Sequence, residues 1–540
     1  MKKIFNKIRF SALALAATVT ISSCEDFLET TPYDFTAPET FYNTESECTS
    51  ALAGVYWSLV REWVYGANYS CLISNIDDLS YYQRNPGALA GNVYGNDHNP
   101  SNKHIFQTWE ELYKGINNAN MLIENVDNAD MDDTVKQRIK GEAKFLRAYY
   151  HFLLVQGWYE VPLRKTSFAD VNNSPMAATP HKDALAWIIG EMEECVNMVD
   201  DMKYDKSPSH VKKTTVMGIL ARVYLWQAGK FGEGGKAAYK KAAYWANEVK
   251  KSGKHDLNGD VYALWKNLAA DKYDTEFNES IWEAEFIGNR EADGQNNYTD
   301  GKIGGIIGNI QKDGRTDGLG YGYGFFAPTL ILWDLFEKNP NDKRLELTIA
   351  PYQIDENGNK KNWTEKQKVQ RSCGKFRREW ETSKNKQKSY TPENYPILRY
   401  ADVLLMLAEA ENEAHEGPTP LAYEAINKVR QRAGIGDLEE GLGHQEFQQA
   451  VRDERARELC FESLRKYDLI RWGIYVDAIH NKLGEKTTNK GSKPGQWPTG
   501  GSYTGAEIYA KNTSDKHQFL PIPTTELDVN TKLEQNKFWK

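Results

Sequence analysis

The chain contains little cysteine, and this scarcity excludes several classes of protein. Only 6 cysteines occur in 540 residues, and none of them forms a C-x-x-C pair. A disulfide-stapled scaffold and a cysteine-based zinc site are therefore excluded. One bridge, between Cys48 and Cys71, stays open as a prediction for an oxidising compartment.

The sequence also lacks long apolar runs and an excess of basic residues. After position 24, no segment approaches the ~20 apolar residues that a membrane-spanning helix needs. The net charge of −8 becomes −12 without the four basic residues that precede position 24. An acidic body of this kind argues against nucleic acid as a partner, because phosphate backbones bind basic surfaces.

Sequence signatures of cofactor and metal sites are missing too. The 10 histidines show no H-E-x-x-H motif and no other metal-ligand spacing. The segment Gly320–Gly324 (GYGYG) is rich in glycine but lacks the frameworks of nucleotide-binding loops. The segment His255–Asp260 (HDLNGD) offers too few oxygen ligands for calcium, so a plain turn is favoured there. We therefore predict no cofactor and no metal.

The N-terminus carries the clearest targeting signal. Four basic residues precede a short apolar run at 10–21, and Ile-Ser-Ser-Cys follows at 21–24. This pattern resembles the bacterial lipobox, in which the cysteine is lipidated and becomes the new N-terminus. The alternative is an ordinary signal peptide with an incidental cysteine. We predict a lipoprotein signal peptide at residues 1–23 and lipidation at Cys24.

Helical periodicity dominates the rest of the chain. Thr44, with Glu47 three residues later, is a capping-box start for a first helix. Apolar residues then recur at helical spacing in several pairs of segments, which include 109–126 with 135–156, and 400–413 with 421–433. The pairs predict a mostly α protein whose scaffold consists of helix hairpins that resemble tetratricopeptide repeats.

Two long segments interrupt this scaffold. Residues 66–103 and 257–391 are rich in glycine, asparagine, aspartate and tyrosine, and the second contains short β-prone runs with a hairpin turn at 356–358. Long irregular loops in a compact protein are usually functional. The helical part therefore divides into an N-terminal region at 24–255 and a C-terminal region at 256–540.

Several segments, in order, resemble the SusD/RagB family of outer-membrane nutrient-binding lipoproteins. The resemblance covers essentially the whole mature chain. A single segment is weak evidence for the family, but the order and spacing of all the segments together are highly specific. The segments are DFLETTP after the lipobox, WEELYKGINNANMLIENV at 109–126, Glu142–Leu163, Tyr395–Glu413, Arg452–Gly473 and the end of the chain, FLPIPTTELDVNTKLEQNKFW.

This resemblance implies a fold, a location and a function. Family members combine about four tetratricopeptide-like helix hairpins with an irregular, loop-rich lobe. They cover a SusC-like TonB-dependent β-barrel transporter on the outer face of the outer membrane. They capture oligosaccharides or other nutrients without catalysis. We therefore expect a lipid-anchored surface protein that delivers a glycan to such a transporter.

Aromatic residues in the two loops are the candidate ligand-binding residues. Sugar rings have apolar faces and a rim of hydroxyl groups, so a carbohydrate site needs flat aromatic side chains beside polar ones, and tyrosine supplies such a surface at low entropic cost. The candidates from the first loop are Tyr65, Tyr69, Tyr81, Tyr82 and Tyr94, with Asn96 and Asp97. Those from the second segment are Asn296, Tyr298, Tyr321 and Tyr323.

Two other functions stay open at this point. A surface glycoside hydrolase would need a pair of carboxylates in a cleft, and Glu283 with Glu285 is one such pair, although a structural role in a strand is favoured. A scaffold or peptide-binding lipoprotein of the same fold is the second alternative. The dense charged segment 452–462 is interpreted as an ion-paired helix rather than a catalytic one.

Overall fold

Helices form most of the described chain, as the sequence predicted. The computed structural model describes residues 41–83, 86–168, 175–200, 207–286, 301–312, 320–382, 386, 388, 390–488 and 504–540. Cys24 and the predicted signal peptide lie outside these residues. Within these ranges, none of the helices combines the length with the hydropathy required to traverse a bilayer.

The N-terminal region is a series of antiparallel helices. They are α1 (Glu45–Trp57), α2 (Lys103–Asn125), α3 (Asp133–Trp158), α4 (His181–Cys195), α5 (Lys213–Ala228) and α6 (Gly235–Lys251). The predicted capping box opens α1, because the Thr44 side chain accepts from the Glu47 amide and the Glu47 carboxylate accepts from the Thr44 amide. From α2 onward, each helix packs on the next along the chain.

In the irregular segment between residues 252 and 399, the α-helices of the described residues are all short. They are α7 (Ala263–Ala270), α8 (Ile303–Ile306), α9 (Leu330–Glu337) and α10 (Leu345–Thr348). The scaffold then resumes with α11 (Tyr400–His415), α12 (Pro420–Ala433), α13 (His444–Leu459) and α14 (Arg465–Arg471). Helix α11 packs against α6, so the insert leaves and rejoins the scaffold at adjacent helices. Three further helices end the chain: α15 (Gly484–Thr488), α16 (Thr504–Asn512) and α17 (Thr524–Val529).

The described strands are short and form three antiparallel pairs. Their bounds are β1 (Ser80–Tyr82), β2 (Ser280–Ala284), β3 (Phe326–Pro328), β4 (Tyr352–Ile354), β5 (Lys360–Asn362) and β6 (Tyr395–Arg399). Strand β1 pairs with β3, β2 with β6 and β4 with β5. The predicted hairpin is the β4–β5 pair, in which Gly358 has a φ of +79° and its amide donates to the Asp355 carbonyl at 3.1 Å.

One continuous hydrophobic core runs from Tyr42 to Leu533 and includes side chains from both the helices and the insert. The cysteines contribute to this core as apolar residues. Cys48 and Cys71 are both buried with free thiols, so the bridge that the sequence left open is not formed. Burial raises the pKa of the Cys71 thiol to about 12, which keeps it protonated and unreactive.

Helix α13 is ion-paired, as predicted, but its pairs are buried and reach other elements. Arg399 at the end of β6 is 2% exposed and contacts Glu462 at 2.7 Å and Glu458 at 3.1 Å. Arg344 of the insert contacts Glu458 at 2.8 Å. Burial alone would raise the pKa of Glu458, but three surrounding guanidinium groups hold that pKa well below its ordinary value.

Replacement of Arg399 by alanine should destabilise the fold strongly. The change leaves the carboxylates of Glu458 and Glu462 buried with fewer counter-charges, which costs ~3–5 kcal/mol. Urea unfolding followed by circular dichroism measures this loss. The control is Lys241→Ala, whose exposed pair with Glu193 at 3.6 Å should contribute at most ~1 kcal/mol. Equal midpoints for the two variants would contradict the structural role of the buried network.

Candidate functional site

Two distant segments of the chain meet at the β1–β3 pair. Tyr82 lies opposite Phe326 in the register, and Tyr81 lies opposite Ala327. The pairing continues beyond the strands, because the Gln83 amide donates to the Phe325 carbonyl at 2.8 Å and the Gln83 side chain donates to the Gly324 carbonyl at 2.6 Å. The first loop and the insert are thereby fixed side by side.

The segment 320–325 (GYGYGF) alternates glycine with aromatic residues, and the alternation has a packing reason. A Cβ at Gly322 would lie 2.2 Å from the Asn309 carbonyl oxygen, and one at Gly324 would lie 2.4 Å from Ile310. The backbone therefore packs tightly on the protein through its glycines. The left-handed φ of Gly324 (+54°) turns the backbone between Tyr323 and Phe325, and the rings of Tyr321, Tyr323 and Phe325 follow one another in a row at 4.4 and 4.9 Å.

Five aromatic rings from the two segments form one continuous row, which we call the aromatic ladder: Tyr94, Tyr82, Phe325, Tyr323 and Tyr321. The ring centroids of Tyr94 and Tyr82 lie 4.5 Å apart with the planes at 22°. Those of Tyr82 and Phe325 are 5.5 Å apart, and those of Phe325 and Tyr323 are 4.9 Å apart. Tyr321 follows at 4.4 Å. These separations are typical of favourable aromatic contacts.

The ladder is accessible along most of its length. Tyr94, Phe325, Tyr323 and Tyr321 are half-buried, whereas Tyr82 in the middle is 8% exposed. Partial exposure of several rings in register gives an elongated apolar surface rather than a closed pocket. The arrangement can bind a ligand with flat apolar faces, and it holds the rings in place before the ligand arrives.

Polar groups lie at both ends of the ladder. At one end, His104 lies 6.3 Å from Tyr94, ring to ring, and its Nδ1 shares a hydrogen bond of 2.9 Å with Asn68 Oδ1. Burial lowers the pKa of His104, so its ring is uncharged at neutral pH. At the other end, the ammonium group of Lys388 lies 5.3 Å from the Tyr321 ring.

Four of the predicted residues, Tyr82, Tyr94, Tyr321 and Tyr323, therefore lie together, but three predicted tyrosines are core residues. Tyr65 and Tyr69 are buried, and their hydroxyls bond to Tyr149 and Gln156 inside the scaffold. Tyr81 is 0% exposed and donates to the Val369 carbonyl at 2.5 Å. Burial raises the pKa of Tyr65 and of Tyr69 well above the ordinary value. These three rings are not a surface platform, because Tyr65 and Tyr69 pack against α3 and Tyr81 packs against the insert.

The polar candidates also differ in where they lie: one is buried, one is exposed and one is outside the described residues. Asn96 is buried with a left-handed φ of 47°, and its amide donates to Tyr475 Oη at 3.1 Å and Thr513 Oγ1 at 2.9 Å. It therefore ties the first loop to the C-terminal part of the chain rather than facing a ligand. Asp97 is exposed and accepts from the Gly91 amide at 2.9 Å. Asn296 and Tyr298 lie outside the described residues.

Phe325 is a member of the ladder that the sequence analysis missed. Its signal was the two-residue spacing after Tyr321 and Tyr323, which continues the aromatic face. Gln83 was missed as well, and no local pattern identifies it, because its role depends on the pairing of β1 with β3.

The carboxylate pair considered for hydrolysis lies in the β2 segment. Glu283 is buried, and its carboxylate accepts from Asn394 Nδ2 at 3.3 Å. Burial raises the pKa of Glu283 to about 8 and also raises that of Glu285. Glu285 is hydrogen-bonded to Ser207. Neither residue belongs to the ladder, so the structure gives the pair internal partners rather than a shared place on the ligand surface.

The molecule thus defines a class of protein in which a helix-hairpin scaffold supports an irregular lobe with a row of aromatic rings. Two family models match the chain. One, described as starch-binding associating with outer membrane, matches residues 26–225, and the other, described as SusD family, matches residues 278–539. The chain belongs to the SusD/RagB family, as the sequence resemblance predicted.

Known relatives agree along nearly the whole chain. SusD-like protein P25 of Formosa agariphila is 27% identical over 95% of this chain and 95% of its own length. A SusD homolog from Bacteroides thetaiotaomicron superposes with a TM-score of 0.82 at 27% identity and covers 92% of this chain and 98% of its own. A laminarin-binding SusD-like protein has the same fold, with a TM-score of 0.70 at 23% identity, over 92% of this chain and 100% of its own.

Glu283→Gln should reduce the loss of thermal stability that the protein shows between pH 6 and pH 9. Since the pKa of Glu283 is raised from 4.5 to about 8 in the fold, stability is lost as the pH rises through this window and the buried carboxyl ionises. Thermal melting at pH 6 and pH 9 should show a smaller drop for the variant than for the wild type. The control, Glu440→Gln on an exposed loop, should follow the wild type, and an unchanged drop for Glu283→Gln would contradict the prediction.

Proposed function

We propose that the chain is a non-catalytic, cell-surface glycan-binding protein that captures oligosaccharides on the aromatic ladder. The observation that carries this proposal is the continuity of the ladder, in which Tyr94, Tyr82, Phe325, Tyr323 and Tyr321 follow one another at 4.4–5.5 Å. A stretch of rings at this spacing suits a chain of sugar units, each of which presents an apolar C–H face.

The energetics favour an extended carbohydrate over a compact ligand. Burial of apolar area contributes ~25 cal/mol per Å², so a single half-buried ring gives modest affinity and several rings in line give a useful total. The rings are already held by one another and by the glycine backbone of 320–324, so little side-chain entropy is lost on binding. The laminarin-binding relative of the same fold supports carbohydrate as the ligand class.

The polar groups beside the ladder supply orientation. Sugar hydroxyls need planar donors and acceptors next to the apolar platform. His104, which buried Asn68 holds by a hydrogen bond, would serve this purpose at one end and Lys388 at the other, and exposed Asp97 is retained as a candidate near Tyr94. Asn296 and Tyr298 also remain candidate contacts.

The proposed location of the protein and its proposed transporter partner rest on the family and on the N-terminal signal sequence. Lipidation at Cys24 would anchor the body to the outer membrane, facing the exterior, and the family model described as associating with the outer membrane supports this location. The captured oligosaccharide would pass to a SusC-like TonB-dependent β-barrel transporter. The scaffold would contact that partner while the irregular lobe presents the ladder.

Removal of one ladder ring should weaken glycan binding about tenfold. The reason is that a tyrosine that becomes buried under a bound ligand contributes more than ~1 kcal/mol to binding. The variants are Tyr94→Ala and Tyr323→Ala, measured by retardation in native gels cast with starch, laminarin or alginate. We expect the wild type to be retarded by at least one of these polysaccharides without cleaving it.

The control for this experiment is Tyr244→Ala on α6, a tyrosine that is 51% exposed and distant in sequence from the ladder segments. It should migrate as the wild type does. Circular dichroism establishes that all three variants are folded. Full retention of binding in both ladder variants would overturn the ladder as the ligand site, and release of reducing ends from the polysaccharide would overturn the non-catalytic assignment.

Cys24→Ala should release the protein from the membrane. Without the thiol there is no acylation site, and the described helices offer no alternative span. Metabolic labelling with radioactive palmitate and membrane fractionation measure the effect, and Cys48→Ala is the matched control because Cys48 is buried in the core. Membrane retention of labelled Cys24→Ala would contradict the anchor.

A further inference from the structure

A groove of about 350 Å³ lies on the C-terminal part of the scaffold and shares no residue with the ladder. It is formed by helices α13 and α14 of the scaffold, by the turn and helical segments at 474–486 that follow them, by α9 of the insert and by Asp78 of the first loop. Its floor is apolar and consists of Ile331, Leu335, Leu469, Ile474 and Ala478. Its wall and rim are charged. A floor of this kind accepts the apolar face of a small molecule.

Arg452 lines the groove, and its charge takes part in no ion pair with the described residues. Its guanidinium group is half-buried, stacks on Trp472 at 5.0 Å and lines the groove. Its Nε is buried and has no hydrogen-bond partner. Among the residues that the structure describes, no carboxylate lies within ion-pair distance of this arginine. A partly desolvated charge without a partner is costly, and burial lowers the pKa of Arg452.

The neighbouring charges are already paired. Arg465 and Arg471 stack on the same Trp472 ring, but Arg465 pairs with Asp78 at 2.8 Å and Arg471 with Asp468 at 2.8 Å. The charges of Glu409 and Glu413 act on Arg452 from a distance while they pair with Arg471 and His444.

The groove is lined by charged side chains of both signs, five basic and four acidic. Lys338 and Lys482 are exposed at the groove, and Lys486 contacts Asp334. Asp453 accepts from Gln449 at 2.7 Å, and Glu485 also lines the groove. The acidic groups make the groove unsuitable for a highly charged polyanion and favour a ligand with a single acid group.

We propose that this groove is a second binding site, which takes a small ligand bearing one acid group beside an apolar face, such as a sugar acid. The acid group would pair with the positive charge of Arg452 by a forked, charge-assisted hydrogen bond to the terminal guanidinium nitrogens rather than to the buried Nε. The apolar floor receives the C–H face of the same ligand. The groove shares no residue with the ladder, so a negative result for one site does not contradict the other.

Ligand-observed NMR titration of the mature chain tests the proposal with D-glucuronate, its neutral counterpart D-glucose, and inorganic sulfate. Wild-type protein should bind glucuronate and not glucose, because only the former carries the acid group. Arg452→Gln should weaken glucuronate binding at least about tenfold. Arg452→Lys should restore part of it, since the charge is kept and the fork is lost.

Two controls separate the groove from general effects. Arg371→Gln removes another arginine that stacks on a tryptophan, Trp333 at 5.0 Å, but does not line the groove, and it should bind glucuronate as the wild type does. Tyr244→Ala, which alters an exposed tyrosine outside both the groove and the ladder, should also leave glucuronate binding unchanged. Sulfate binding that is lost in Arg452→Gln would support the site and identify a free anion as sufficient. Equal binding of glucose and glucuronate, or unchanged binding in folded Arg452→Gln, would overturn the proposal.

Discussion

The architecture depends on a buried network of ion pairs that joins the irregular insert to the helical scaffold. Arg399 contributes from the end of β6, Arg344 from the insert, and Glu458 and Glu462 from α13 and the turn that follows it. Each charge is stable in the interior only while its partners are present, because the desolvation of an unpaired ion costs several kcal/mol. The network therefore specifies how the insert sits on the scaffold, in addition to the apolar core that both share.

This constraint explains how an irregular segment can present an ordered surface. The insert is held at its base by the ion pairs and at its outer part by the β1–β3 pairing, which aligns Tyr82 with Phe326. The glycines between Tyr321, Tyr323 and Phe325 then let the backbone pack closely while the rings form one face. Arg452 lies on the same charged helix as Glu458, but no described carboxylate pairs with it, and its side chain lines the groove instead.

The sequence predicted local features well where one segment decides them. The capping box at Thr44 and Glu47 and the β4–β5 turn at Gly358 are examples, because their hydrogen bonds lie within a few residues. It could not separate Tyr82 and Tyr94 from Tyr65, since all of them occur in the same tyrosine-rich loop. Their burial depends on which helix covers each ring, and Tyr65 meets Tyr149 of α3, 84 residues away.

The sequence by itself determined the family, the helical periodicity, the lipobox pattern and the two loops that contain the candidate site, because each of these is encoded by residue type and short-range spacing. The tertiary structure alone decided which aromatic rings stay partly exposed, which charges are paired and which arginine has no carboxylate within ion-pair distance among the described residues. Those properties depend on contacts between segments that are tens to hundreds of residues apart, and a contact of that kind has no signature in the residue spacing of either segment.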